Sequence, residues 1–253
     1  MVKIAVCGAC GKMGRVINSV IKSRSDCTVA FGIDKITEKY DDFEIYRTSA
    51  EAPEKPDVIL DYSHPSSIDD GLLEYGLANG VPLVLCTTGY SKEQTEQIKK
   101  ASEQIPVFFS FNMSLGINLL ASLAKTANKV LGGQFDIEIV EKHHNQKLDA
   151  PSGTALMLAD AINSASDDRY SYVYDRHSRR QKRDAKEIGI HSIRGGTIVG
   201  EHEIIFAGRD EVITLSHSAA SKEVFAVGGV NAAVFLCGKP AGLYDMSDLI
   251  NNG

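Results

Sequence analysis

Short apolar runs alternate with amphipathic stretches through the first 111 residues of the chain. The apolar runs predict buried strands, and the stretches between them have the spacing of helices, most clearly Lys12–Lys22. Strands that alternate with helices predict a doubly wound parallel sheet with helices on both faces. The predicted strands are Lys3–Cys7, Thr28–Ile33, Asp57–Tyr62, Pro82–Cys86 and Pro106–Phe111, with further helices over 66–79 and 91–104.

Beyond residue 114 the periodicity becomes that of a sheet with one covered face. Leu115–Leu131 predicts a long helix, and Phe135–Glu141 alternates strictly between apolar and polar residues. Three later segments also alternate, and turns that contain glycine separate them, so we expect an antiparallel sheet joined by hairpins. These segments cover about 187–194, 197–207 and 211–217, with turns at Gly195-Gly196 and Gly208–Asp210 and a helix over 153–165 before them.

The change of pattern predicts two domains. A final helix over about 222–236 is apolar enough to pack against the first domain. We therefore predict an α/β protein with a doubly wound Rossmann-type cofactor domain, formed by residues 1–114 and 222–253. Residues 115–221 are expected to form a smaller α+β domain with a largely antiparallel or mixed sheet.

Composition narrows the class of protein. The chain has 253 residues, is 43% hydrophobic and carries a net charge of −6, so no positive field favours nucleic acid or anionic lipid. No apolar run reaches the ~18 residues of a membrane span. Met1–Gly8 lacks the pattern of a signal peptide, and five scattered cysteines suit a reducing compartment. We expect a soluble cytoplasmic protein without nucleic-acid or membrane partners.

A glycine-rich turn follows the first predicted strand. Gly8, Gly11 and Gly14 have the spacing G-x-x-G-x-x-G, a shifted relative of the dinucleotide fingerprint. Glycine lets the backbone approach a pyrophosphate, and the next helix presents N–H groups and a positive dipole end. Asp34, at the end of the second strand, can bind the ribose hydroxyls, whereas Lys35 can bind a 2′-phosphate. NAD and NADP therefore both stay open.

Other interpretations of this half of the chain are disfavoured. The turn could serve helix packing alone, but strand, helix and acidic residue all occur at the expected spacing. Cys7 and Cys10 form a C-x-x-C pair without the scaffold or the further ligands that redox or zinc chemistry needs. Loops at Cys86–Gly89 and Ser110–Met113 follow predicted strands, where such sheets bind ligands, although ordinary turn chemistry explains each alone about as well.

The chemically richest segment follows the strictly alternating strand. His143, His144 and Lys147 bring proton donors and potential positive charge together within five residues. Ser152 can cap the next helix, whose first turn contributes the amides of Gly153 and Thr154. This combination predicts an anionic ligand, a carboxylate or phosphate that is protonated during the reaction by a lysine or histidine.

The alternatives for this segment are a metal site, a serine nucleophile and a solvated loop. The paired histidines lack helical metal spacing and a third ligand, and Ser152 lacks the G-x-S-x-G elbow. A solvated loop is the usual interpretation of one polar run, and it also applies to the basic run Asp175–Arg183, which could instead cover an anionic substrate. His64, His191, His202 and His217 are interpreted as loop, packing or sheet-surface residues.

The segment Glu141–Ala155 resembles the signature E-x-H-H-x-x-K-x-D-A-P-S-G-T of the 4-hydroxy-tetrahydrodipicolinate (dihydrodipicolinate) reductases. The resemblance covers essentially the whole chain, and the double-histidine signature is its specific part. Similar motifs occur at Val6–Gly14, Thr87–Gly89, Asn112–Gly116 and Ile193–Glu203.

The resemblance implies an enzyme that reduces the cyclic product of aspartate semialdehyde and pyruvate to tetrahydrodipicolinate, with NADH or NADPH, on the diaminopimelate route to lysine. It implies an acid/base role for His143 and a proton-donor role for Lys147. His144, Gly153 and Thr154 would bind the cyclic dicarboxylate with Ser152 beside them, no metal is expected, and members are typically homotetramers joined through the sheets of the second domain. The expected cofactor contacts are Gly8, Ala9, Cys10, Gly11, Lys12, Met13, Asp34, Lys35, Cys86, Thr87, Thr88, Ser110, Phe111, Asn112 and Met113.

The chain departs from the family pattern at three places. Lys12 replaces the usual arginine, Cys86 replaces glycine or alanine, and Asp34-Lys35 replaces an acidic residue followed by arginine, which leaves the coenzyme preference open. Two rival functions are a dinucleotide-binding regulator without catalysis and a reductase of another imino or oxo dicarboxylate. A regulator does not need a proton donor, and the second-domain signature disfavours another substrate.

Overall fold

The computed structural model describes residues 1–166 and 170–251, which form two compact units. One unit comprises Met1–Leu115 and Glu223–Gly253, and the other comprises Gly116–Lys222. The elements in chain order are β1 (Val2–Cys7), α1 (Lys12–Lys22), β2 (Cys27–Ile33), β3 (Ile45–Tyr46), β4 (Val58–Asp61), α2 (Leu73–Asn79), β5 (Leu83–Leu85), α3 (Lys92–Ser102), β6 (Pro106–Phe109), α4 (Leu115–Leu131), β7 (Asp136–His143), α5 (Gly153–Ser164), β8 (Ser171–Val173), β9 (Glu187–Arg194), β10 (Gly200–Ala207), β11 (Val212–Ala219), α6 (Glu223–Leu236), β12 (Gly242–Tyr244) and α7 (Met246–Asn251).

The first unit contains a parallel sheet of seven strands in the order β12-β6-β5-β4-β1-β2-β3. Separate apolar clusters cover its two faces, as expected for strands without a polar face. On one face Ile17 and Val230, from α1 and α6, join the core, and on the other Leu73 and Ile98, from α2 and α3, do so. The predicted doubly wound fold class is confirmed.

In this unit one predicted helix is shorter than expected, and two short strands and the last helix, Met246–Asn251, were not predicted. The expected helix over 66–79 is interrupted at Gly71, whose φ of 97° is open to glycine and strained for other residues, so the regular helix begins at Leu73. The strands Ile45–Tyr46 and Gly242–Tyr244 were not predicted, because two or three residues are too few to show an alternation.

The second unit contains a mixed sheet of five strands in the order β11-β10-β7-β9-β8. The hairpin predicted at Gly208–Asp210 is present, because β10 and β11 pair antiparallel. The prediction of a hairpin at Gly195-Gly196 is wrong, because β7 lies between β9 and β10. Strand β7 pairs parallel to β9 and antiparallel to β10. Residues 195–199 form a connection long enough to cross one strand, since neighbouring strands lie about 4.8 Å apart.

Helices α4 and α5 cover one face of this mixed sheet, here called the inner face. Its core includes Ile137 and Ile139 of β7 and Phe206 of β10, packed against Leu120 and Leu158 of the two helices. The opposite, outer face carries the alternate residues of the same strands. No helix in the described parts of the chain is both long and apolar enough to cross a membrane.

Candidate active site

Strand β7 changes from apolar to polar along its inner face. Ile137, Ile139, Glu141 and His143 point inward in turn, so the alternation that builds the core continues into two buried polar side chains. His143 Nδ1 lies 2.6 Å from Glu141 Oε2. An ionised carboxylate only accepts hydrogen bonds, so a neutral His143 carries its proton on Nδ1 and presents the lone pair of Nε2.

Glu141 is fully buried and contacts several elements. Arg194, at the end of β9, donates to both carboxylate oxygens at 2.8 and 2.7 Å, and the backbone N–H of Ser152 donates at 3.1 Å. Burial alone raises the pKa of Glu141, but the hydrogen bonds from Arg194, Ser192, His143 and Ser152 lower it to about 2. Glu141 is therefore a charged, hydrogen-bonded carboxylate at neutral pH.

The loop after β7 carries Lys147. Its Nζ lies 2.9 Å from Asp149 Oδ1, and its backbone N–H donates to the His144 carbonyl at 3.1 Å. The hydrogen bond from Lys147 lowers the pKa of Asp149, so Asp149 is an ionised carboxylate at neutral pH. Arg194 donates to the carbonyl of Asp149 at 2.6 Å and thereby ties the lysine loop to the Glu141 cluster. His144 is half-buried at the start of this loop.

Ser152 begins α5 beside the same cluster. Its Oγ accepts the backbone N–H of Ala155 at 3.2 Å, so it caps the helix as predicted. The same oxygen lies 3.2 Å from Nε2 of His202, a β10 residue that is only 4% exposed. Burial and the nearby His143 lower the pKa of His202 to about 4, so it is neutral at physiological pH. Gly153 and Thr154 form the first turn of this helix.

Two residues of β10 and β9 in this cluster were not predicted. His202 was interpreted as a packing residue, and Arg194 had no assigned role, yet both neighbour Glu141 across the sheet. A third unpredicted feature is Gly200, where an added Cβ would lie 3.2 Å from Nε2 of His143. The missing side chain at Gly200 leaves the space that the His143 ring occupies.

The glycine-rich loop of the first unit is closely packed. Gly8 has a φ of 81°, and a Cβ on Gly14 would lie 2.2 Å from the carbonyl oxygen of Gly8. Asp34 accepts the backbone N–H of Cys10 at 2.9 Å and that of Ile36 at 3.1 Å. The carboxylate expected to bind ribose hydroxyls thus also holds the loop, and each oxygen keeps a further lone pair for a ligand.

A cavity of about 810 Å³ adjoins this loop within the first unit. Its volume lies within the usual range for cofactor sites. Gly8, Gly11 and Asp34 line one part of it, and two cationic residues, Lys35 and Arg47, line it as well. A glycine-walled cavity with a carboxylate and two cations fits the adenosine and phosphate portion of a nicotinamide dinucleotide.

The C-x-x-C pair of this loop does not have the environment of a reactive thiol pair. Burial raises the pKa of Cys7 well above its usual value, and burial with the nearby Asp34 raises that of Cys10. Cys10 Sγ donates instead to the carbonyl of Ile36 at 3.2 Å. Both thiols are therefore protonated at neutral pH, contrary to what thiolate chemistry needs.

Asp61, at the end of β4, was not singled out in the sequence. It is fully buried and accepts hydrogen bonds from Thr87 Oγ1 at 2.8 Å and from the Tyr90 hydroxyl at 3.1 Å. It therefore positions the loop that begins at Cys86. The other predicted cofactor residues divide into buried ones, Ala9, Cys86, Asn112 and Met113, half-buried ones, Met13 and Ser110, and exposed ones, Lys12, Thr88 and Phe111.

The basic run Asp175–Arg183 is partly bound to the second unit. Arg176 and Arg183 contact Glu138 on the outer face of β7, at 2.7 and 3.0 Å. His191 Nε2 lies 2.8 Å from the other oxygen of Glu138. These two arginines therefore stabilise the sheet, which a fully solvated loop would not do.

Comparisons with known proteins follow the same division of the chain. Residues 2–113 match the family model described as dihydrodipicolinate reductase, N-terminus, and residues 116–250 match the one described as its C-terminus. The chain is 50% identical to 4-hydroxy-tetrahydrodipicolinate reductase of Caldanaerobacter subterraneus subsp. tengcongensis, over all of both chains. It is 48% identical to the enzyme of the same name from Clostridium tetani, over 100% of this chain and 98% of that one.

Among solved structures, the chain is similar to the dihydrodipicolinate reductase from Paenisporosarcina sp. TG-14, which has dipicolinate bound. The TM-score is 0.80, the identity is 26%, and the alignment covers 97% of each chain. The whole chain, including the histidine and lysine segment and the glycine-rich loop, belongs to the dihydrodipicolinate reductase family.

Proposed function

We propose that this protein reduces 4-hydroxy-tetrahydrodipicolinate to tetrahydrodipicolinate with NADH or NADPH, in the diaminopimelate route to lysine. The observation that carries the proposal is the buried Glu141–His143 pair, with the Lys147 loop and the start of α5 tied to it. Relatives of about 50% identity over the full length carry the name of this activity.

The substrate is a cyclic dicarboxylate, and the second unit offers suitable groups for it. His144, Ser152, Gly153 and Thr154 lie at or before the start of α5, where first-turn N–H groups and the helix dipole favour a carboxylate. The reaction takes up a hydride and a proton and releases water. Lys147 serves as the proton donor, and His143 exchanges a proton through Nε2.

The glycine-rich loop, Asp34, and the loops at Cys86–Thr88 and Ser110–Met113 hold the cofactor. When bound, a reduced nicotinamide dinucleotide supplies the hydride. Residues of the loop contribute backbone N–H groups for the pyrophosphate, and Asp34 accepts the ribose hydroxyls. The reaction needs a reduced coenzyme and the five cysteines are free, which supports a cytoplasmic location.

The experiment is a coupled assay. Purified protein is mixed with NADH or NADPH and with substrate freshly made from aspartate semialdehyde and pyruvate by the preceding synthase, and loss of absorbance at the nicotinamide band is followed. We expect oxidation that requires both substrate and protein. Cofactor binding without oxidation would instead support a dinucleotide-binding regulator.

Coenzyme selection gives a separate prediction. The backbone N–H of Asp34 donates to the carbonyl of Tyr46 at 3.0 Å, which brings Arg47 to the same end of the sheet as Lys35. Both cations line the cavity, where a 2′-phosphate gains charge-assisted hydrogen bonds. The double variant K35A/R47A should raise the KM for NADPH at least tenfold and leave that for NADH within threefold. Equal effects on both coenzymes would exclude a 2′-phosphate role.

The oligomeric state gives another prediction. On the outer face of the second sheet Ile193 and Val212 expose 46% and 62% of their surface, and the described helices of this unit, α4 and α5, pack on the inner face. Such a face suits sheet packing between copies, as in the family tetramer. Light scattering after size exclusion should give four times the chain mass of 27.4 kDa. A mass of one chain at micromolar concentration would contradict a homotetramer.

A further inference from the structure

We propose that Glu141 and Arg194 are positioning residues that hold the imidazole of His143, the Lys147 loop and the start of α5 in one arrangement. This inference rests on the proposed function, because it concerns the same site. Both residues lie in motifs shared with the family, Glu141 in the signature and Arg194 in the segment Ile193–Glu203, but the resemblance assigned no role to either. Arg194 lies 53 residues beyond Glu141 in the chain.

Four hydrogen bonds converge on the buried carboxylate of Glu141. Glu141 Oε2 accepts from His143 and from Arg194 Nη1, and Oε1 accepts from Arg194 Nη2 and from the backbone of Ser152. The side chain of Glu141 has no exposed surface. Hydrogen bonds to a charged group in such surroundings are stronger than neutral ones and fix geometry closely.

Arg194 contacts the lysine loop as well as Glu141. The same guanidinium that binds Glu141 also donates to the carbonyl of Asp149 at 2.6 Å, and Asp149 holds the ammonium of Lys147. One arginine thus connects the carboxylate beneath His143 to the loop that carries the proton donor. Misplacing a catalytic group by about 1 Å can cost ~10²-fold in rate, so this connection bears on turnover.

Arg194 also balances the charge of the buried Glu141. A buried carboxylate is costly unless it is paired with a cation and fully hydrogen-bonded. The bidentate contact from Arg194 neutralises Glu141 independently. Glu141 therefore stays buried and charged beside the imidazole without depending on His143 as its partner. The ring of the neutral His202, on β10, lies 5.3 Å from the His143 ring, measured between centroids.

The test compares E141Q with E138Q. Glu138 is a matched control, because it lies on the same strand, contacts two arginines and a histidine, and faces the opposite side of the sheet. An acid that orients a catalytic histidine is worth up to ~10⁴ in kcat in other enzymes. For E141Q we expect kcat to fall about 100-fold relative to the unmodified protein. The KM for substrate and the dissociation constants of cofactor and dipicolinate should stay within threefold of the unmodified values. For E138Q we expect kcat within threefold of the unmodified protein.

A second measurement does not need the reductase activity. Nitrogen chemical shifts of the His143 ring should show the proton of the neutral form on Nδ1, and E141Q should mix the two tautomers, since an amide can donate or accept. E141D keeps a carboxylate, so it should restore the Nδ1 tautomer of His143 and part of the lost kcat. If E141Q does not fold, E141D takes its place in these measurements. R194K, which cannot donate in bidentate fashion, should lower kcat tenfold or more.

Two results would overturn the proposal. One is an E141Q protein with kcat within threefold of the unmodified enzyme, and the other is an unchanged His143 tautomer in E141Q. If the unmodified protein does not oxidise NAD(P)H with the substrate, the proposed function fails, while the tautomer measurement still decides whether Glu141 positions His143.

Discussion

Replacing Lys147 with alanine should lower kcat by about 10²- to 10⁴-fold, the usual contribution of a general acid. The dissociation constant for NADH or NADPH should change less than threefold, because Lys147 belongs to the second unit and the glycine-rich loop to the first. Steady-state kinetics and cofactor titration by fluorescence measure the two quantities separately.

The control for this variant is K142A. Lys142 lies on the outer face of β7, with its Nζ 2.8 Å from Glu203 and 3.2 Å from Glu201. It has the same side chain and lies five positions earlier, but it points away from Glu141 and His143. K142A should keep kcat within threefold. A K147A protein that lost cofactor affinity as strongly as turnover would contradict the assigned proton-donor role.

The second large effect is expected from G14A. A Cβ at this position would lie 2.2 Å from the oxygen of Gly8 and 2.5 Å from that of Ala9, and backbone atoms cannot move aside as a flexible side chain can. The loop must therefore move away from α1. We expect the affinity for NADH and NADPH to fall at least 100-fold, and the free energy of unfolding to fall by about 1–3 kcal/mol.

G76A is the control for G14A, because it also introduces a steric clash in the first unit, but away from the glycine-rich loop. A Cβ at Gly76 would lie 3.0 to 3.2 Å from side-chain atoms of Leu83 and Ile105 in the core of the same unit. This variant should lose stability without losing cofactor affinity. If G14A bound either coenzyme as tightly as G76A does, the glycine-rich loop would not be the pyrophosphate site.

Much of the architecture follows from local patterns. The apolar spacing predicted α1 and α4 with the bounds that the structure has, because an amphipathic helix repeats its signal over several turns. The strict alternation before Glu141 correctly placed that strand on a covered face. It could not reveal that the buried positions end in a carboxylate and an imidazole in contact, since alternation identifies a face and not a partner.

Arg194 and His202 were missed for one shared reason. Arg194 and His202 flank Glu141 only because β7 lies between β9 and β10, and the sequence predicted β9 and β10 as a hairpin. When the neighbouring strand is predicted wrongly, the side-chain contacts between adjacent strands cannot be predicted either. Arg47 was missed for a different reason: it follows a strand of two residues, which is too short to be recognised.

Strand β7 carries two unrelated polar networks on opposite sides of one backbone. Glu141 and His143 point inward, whereas Glu138 and Lys142 point outward to their own partners. Because successive side chains of a strand alternate, a one-residue insertion or deletion early in β7 would exchange the two sets. Such a change would leave composition and charge almost untouched, and an insertion would place Lys142 where His143 belongs. Spacing along these eight residues is thus as strict a requirement as their identity.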